Sequence, residues 1–153
     1  MPSTLSKLYA AAARGSVERT VALLSRGSVD IDGSYGDAGR TPLMVASTMG
    51  YLRVVRVLLR LGAGVSVADN DGATALHLSV FNQHLAVSKA LIKAGAEVEA
   101  RCQESGATPL YTSARQGRLE DVKVLVGAKA NPLVPAYDGE SLPLDAAAEN
   151  GYL

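Results

Sequence analysis

This chain of 153 residues has no tryptophan, a single phenylalanine and few aromatics of any kind. Packing is therefore left mainly to Ala, Leu and Val, a composition suited to thin layers in close contact. An excess of either charge is also missing. Fifteen Lys and Arg balance 15 Asp and Glu, for a formal net charge of zero, so there is no global basic field to draw in nucleic acid or anionic lipid. The lone cysteine, Cys102, excludes an intramolecular disulfide. It fits a reducing compartment and reads as an inert thiol. No apolar run approaches the length of a membrane span. The glycines follow neither GxGxxG nor GxxxxGK spacing, so a phosphate loop is not supported.

What the chain does have is repetition. TPLMVASTMG, TALHLSVFNQ and TPLYTSARQG begin at Thr41, Thr74 and Thr108, at spacings of 33 and 34 residues. Weaker copies begin at Ser6 and Ser141. A fixed period of this size means a stack of small units with contacts between neighbours, in place of one globule. Lys7, Arg14 and Arg19 give the N-terminal stretch a faint likeness to a targeting helix. Leu8, Ala11, Gly15, Leu23 and Leu24 nevertheless follow the repeat register.

Each unit reads as two short helices and a turn-rich loop. In the second unit, Thr41-Pro42 gives an N-cap and a first helical position, and Gly50 stops the helix. A second helix follows, with Val54, Val55, Leu58 and Leu59 on one face and Gly62 at its end. Arg53, Arg56 and Arg60 recur at spacings of three and four on that helix. They read as a solvated face, with a patch for an acidic partner as the alternative. Asp71-Gly72 marks a hairpin tip. The units are expected at approximately 4–38, 39–71, 72–105 and 106–138, with a partial unit at 139–153.

Candidate chemistry is sparse. Asp30, Asp32 and Asp37 lack the spacing and closing Glu of a calcium loop and read as a solvated hairpin. No Cys or carboxylate cluster sits at ligand spacing to His77 or His84, so a zinc site is unsupported. The serines lack a partnering His and Asp arrangement. The expectation is a protein that is not an enzyme and has no metal or cofactor.

These motifs resemble the ankyrin repeat, with its β-turn, antiparallel helix pair and Thr-Pro-Leu-His-x-Ala start. Thr41-Pro42-Leu43 and Thr108-Pro109-Leu110 match the opening, as does Thr74-Ala75-Leu76-His77 apart from its proline. Gly62-Ala63 and Gly95-Ala96 match the close of the second helix, and Gly39, Gly72 and Gly106 match the hairpin glycine. The resemblance implies an all-α solenoid of stacked helix pairs joined by hairpin-like loops. It implies that the threonines cap helices and that His77 bridges to loop backbone. His84 stands where the family often has a histidine.

The resemblance further implies protein binding through the finger tips and the concave face of the first helices. On the fingers the register selects Tyr35, Asp37, Arg40, Asn70, Asp71 and Glu104, together with Ala73 and Ser105. On the first helices it selects Thr48, Met49, Phe81, Asn82, Arg115 and Gln116. Tyr111 stands where His77 stands and is expected to reach the finger base. Phe81 is the sharpest candidate, with Met49 and Arg115 expected along one ridge and Tyr35 above it. Packing of Phe81 over the turn at Gln83 is the alternative.

Departures from the pattern are localised. Gln83 occupies a glycine position and must turn left-handed or shift the turn. Lys129 replaces a stop glycine, Gly127 falls inside a helix, and Leu142 reads as a one-residue insertion. The fourth helix pair, with Pro132 and Pro135 in its exit loop, is expected to be the least regular and least stable. AAAENGYL supplies a first helix with no second, so the native protein is expected to continue past Leu153 or to cover this end with another copy. The function expected is an adaptor that binds a protein partner of unknown identity, without nucleic-acid binding or membrane insertion. The alternative is the regulatory or substrate-docking N-terminal domain of a larger enzyme or channel. Self-association through the partial repeat is a further option, and the location is expected to be intracellular, cytoplasmic or nuclear.

Overall fold

The computed structural model describes residues 3–136 and 141–152. Helix α1 (Thr4–Ala13) pairs with α2 (Val17–Leu24), and α3 (Pro42–Thr48) pairs with α4 (Leu52–Arg60). Helix α5 (Ala75–Phe81) pairs with α6 (Leu85–Lys93), α7 (Pro109–Arg115) with α8 (Leu119–Gly127), and α9 (Pro143–Glu149) follows. First helices pack on first helices and second helices on second helices, which makes a two-layer stack. Extended pairing among the described residues is confined to two isolated antiparallel bridges, Tyr35–Arg40 and Ala68–Thr74, at finger bases. The expected boundary at 138/139 lies outside the described residues.

The first helices α3, α5, α7 and α9 have only seven residues each, too few to persist alone. Caps and burial hold them. Thr41 Oγ1 accepts from Met44 N at 3.3 Å and Thr108 Oγ1 from Tyr111 N at 3.1 Å, with Pro42 and Pro109 opening the helices. At α5 the ring of His77 enters the cap, with Nδ1 3.3 Å from Thr74 N and 3.0 Å from Thr74 Oγ1. At α9, Leu142 itself occupies the cap position before Pro143, and Leu142 N donates to Asp145 Oδ2 at 3.0 Å. Leu142 is therefore not an insertion. It replaces the threonine without its hydroxyl, and only the reciprocal bond from the cap N–H to the Asp145 carboxylate remains.

His77 is buried, and its Nε2 lies 3.1 Å from the carbonyl of Ala107 in the next finger. A carbonyl only accepts, so the proton is on Nε2, and Nδ1 is left to accept from Thr74 N. Burial lowers the His77 pKa against the smaller raising effects of Ala107, Ala100 and Asp69. The ring is neutral, a bridge between units.

A second contact recurs along the stack. Gly15, Gly50 and Gly117 end their first helices at φ 69°, 74° and 66°. The rings of Tyr51, His84 and Tyr152, each from the following unit, come within 2.8, 2.5 and 2.5 Å of where a Cβ would stand. His84 Nε2 also lies 3.0 Å from the Thr48 carbonyl, so this histidine also bridges units. Gln83 does adopt the left-handed conformation, at φ 68°. The residue following in that register is Arg118, so no ring stands where its side chain begins. Lys129 also sits at φ 68°, and at its counterparts Gly62 and Gly95 nothing lies within 4 Å of a Cβ. Its replacement of glycine costs backbone strain alone. Helix α8 keeps the nine residues of α4 and α6 despite Gly127, so the expected irregularity of the fourth pair does not extend to its helix length.

Side chains also tie second-helix exits together. Gly64 N donates to Asp32 Oδ1 at 2.9 Å, Glu97 N to Ser66 Oγ at 2.9 Å, and Asn131 N to Glu99 Oε1 at 2.6 Å. Asp32 is thus a partly buried tether and not a solvated hairpin residue. Leu8, Leu43, Leu76 and Leu110 occupy one register and are at most 2% exposed, whereas Leu144 in that register is 63% exposed. The second-helix layer that covers the others stops at α8 among the described residues.

Gly50→Ala is expected to destabilise by about 2–4 kcal/mol, since the new methyl meets both left-handed strain and the His84 ring. Gln83→Gly is expected to stabilise by up to about 1 kcal/mol, because strain is relieved against a smaller glycine entropy cost. Urea unfolding measures both. The lowered pKa of His77 means that the unfolded chain binds the extra proton first. Its contribution is whole above the ordinary imidazole value of 6.5 and is lost as pH falls through the lower folded value. Melting temperature should therefore decline through that window in the wild type and decline less in His77→Gln.

Candidate partner-binding groove

The ends of α5 and α7 and the adjoining fingers enclose a groove of about 860 Å³. Phe81, Glu104, Tyr111, Arg115 and Gln116 line it together, with Ser105 and Cys102 on the finger side. Phe81 is 61% exposed. It does not fold down over the turn at Gln83. Tyr111 OH lies 3.1 Å from Ser141 Oγ in the next unit, so Tyr111 reaches the neighbouring finger base as His77 does. Gln116 Oε1 is buried and has no hydrogen-bond partner among the described residues.

The other selected residues do not line this groove. Arg40 Nε pairs with Asp69 Oδ2 at 3.3 Å, while Asp69 Oδ1 accepts from Asp71 N and Ala73 N. Asn70 Nδ2 donates to the Asp37 carbonyl at 2.9 Å. The Arg40 and Asn70 contacts hold finger to finger, and those of Asp69 Oδ1 close its own finger. Thr48 Oγ1 and Asn82 Nδ2 donate to Met44 and Leu78 carbonyls on their own helices. Met49 is 48% exposed, and Tyr35 is 43% exposed with its ring 5.1 Å from that of Tyr9. The ridge is thus split. Phe81 and Arg115 share the groove, and Met49 and Tyr35 lie outside its lining.

Asn150 also lines the groove and was missed by the sequence reading. It stands in the register of Met49, Asn82 and Gln116, one residue before Gly151.

The groove offers contact and little reactivity. Burial, followed by the charges of Asp69 and Asp71, raises the Cys102 pKa, so the thiol is protonated and a poor nucleophile at neutral pH. Ser79 Oγ lies 3.0 Å from Ser88 Oγ, and Asp121 joins Ser88, but all three are buried between helices. Burial raises the Asp121 pKa, opposed by Ser88, Arg118 and Lys89. Among the described residues no group of three or more His, Cys, Asp or Glu could hold a metal ion, and no helix is long and apolar enough to cross a membrane.

The family model for ankyrin repeats (three copies) matches residues 4–69 and 61–136. The chain belongs to the ankyrin-repeat family. Ankyrin repeats generally mediate protein–protein interactions. The array is 31% identical over 144 residues to the tyrosine-protein kinase Shark of Drosophila melanogaster, covering 94% of this chain and 15% of that protein. It is 32% identical over 134 residues to human ankyrin repeat and SOCS box protein 16, covering 88% of this chain and 29% of that one. It is 33% identical over 151 residues to ankyrin repeat and KH domain-containing protein mask-1 of Caenorhabditis elegans, covering 97% and 6%. The chain thus spans less than a third of each of these three relatives.

Tyr111→Phe keeps the ring and removes its bond to Ser141. The expected cost is about 0.5–1.5 kcal/mol, with faster amide exchange in α9 than in α3, read by hydrogen–deuterium exchange.

Proposed function

We propose that this ankyrin array is an adaptor that binds a protein segment in the groove beside Phe81. The supporting observation is an exposed phenylalanine that lines one groove with an exposed arginine, Arg115. Aromatic and Arg side chains are the types enriched at binding hot spots. A bound segment would lay an apolar side chain on Phe81 and set a carboxylate against Arg115. The finger residues Tyr35, Asp37, Asn70 and Asp71, with Met49, form the outer part of this proposed surface. An intracellular location is part of the same reading and rests on the single unpaired cysteine.

The second reading is a regulatory or substrate-docking domain of a larger enzyme. It is favoured by the kinase that the array resembles while spanning 15% of it. Self-association through the end that exposes Leu144 has that exposure as its support.

Affinity capture from native lysate, comparing wild type with Phe81→Ala, tests the groove. A hot spot predicts loss of the captured partner with melting unchanged. Lowered melting with capture intact would assign Phe81 to packing and reject the groove as the binding surface.

A further inference from the structure

The zero net charge hides a separation of charge. Helices α4 and α6 carry five cations, Arg53, Arg56, Arg60, Lys89 and Lys93, and no acid. Several acids, Asp37, Asp69, Asp71 and Glu104, lie in the fingers. Lys89 acts on Glu120 and Asp121 of α8. The other four cations are exposed and make no ion pair among the described residues. They line a second groove, of about 650 Å³, on the second-helix layer. Between them Val57, Leu59, Ala90 and Ala94 contribute an apolar strip.

From this arrangement we propose that the α4–α6 groove is a second docking surface, whose occupant is an acidic amphipathic helix of a partner protein. Its apolar residues at i, i+3, i+4 and i+7 would seat on the strip. Its flanking carboxylates would meet the guanidinium groups, whose planar donors suit carboxylates in two-point contact. Charge complementarity chooses the sign of the partner, and the strip chooses a peptide. Single-stranded nucleic acid is held by aromatic stacking as well as charge, and no aromatic ring lines this groove. A lipid surface would meet cations but would not fill a groove between two helices. The proposal is independent of the groove at Phe81, which lies on the first-helix and finger side.

The test is fluorescence anisotropy on the full chain. The probe is a helix-forming peptide with a leucine stripe flanked by glutamates, and the control is a scramble of the same composition. The expected result is binding of the patterned peptide that weakens between about 0.05 and about 0.5 M salt. Arg56→Glu with Arg60→Glu should lower affinity about tenfold or more with circular dichroism and melting unchanged. Phe81→Ala should bind as wild type does. If the double variant misfolds, Lys93→Glu gives the same comparison on another helix. Equal binding of the scramble, or undiminished binding by the charge-reversed chain, would overturn the proposal. So would tighter binding to phosphatidylserine vesicles or to an RNA duplex.

Discussion

A helix pair of about 30 residues cannot bury its own apolar seam, so every unit of this chain depends on the next one in line. Two contacts set the spacing at which that burial happens. One is the reach of the residue three beyond the cap, where His77 and Tyr111 each touch the following finger. The other is a ring laid on a glycine, as Tyr51 lies on Gly15 and His84 on Gly50. Both act between units and so convert a sequence period into a rigid stack. The same dependence shows at Leu144, which has the register of a core leucine and the exposure of a surface residue, with no second helix packed on it among the described residues.

The stack also decides where function can reside. Side chains needed for stacking are committed. Arg40 and Asn70 stand on fingers, yet their polar atoms fasten one finger to another. What the stack leaves exposed includes Phe81 and Arg115 on one side. On the other side lie the cations of α4 and α6. A protein neutral as a whole can therefore present two faces of different character, because a solenoid keeps fingers and second helices on separate sides.

Much of the architecture was readable in the residues themselves. Thr-Pro starts and glycine stops are local chemistry, so the helix pairs at Thr41, Thr74 and Thr108 followed from spacing alone. The reading failed where the local signal was missing. Leu142 holds the cap position without a hydroxyl, and only the reciprocal bond from Leu142 N to Asp145 Oδ2 remains. Gln83 is strained at φ 68°, and the residue that stands after it in the ring register, Arg118, is 35 positions away. No window of local sequence connects the two.

The sequence by itself determined the repeat, the helix pairs and the family, because caps, stops and apolar periods act within a few residues. Only the tertiary structure decided which of the remaining residues meet. It joined Phe81 to Arg115 and Gln116, tied Arg40 and Asn70 into the fingers, set Tyr35 against Tyr9, and gathered Arg53, Arg56 and Arg60 with Lys93. Those groupings cross from one unit to another, and the distance between side chains in adjacent units is fixed by packing, which a period specifies without measuring.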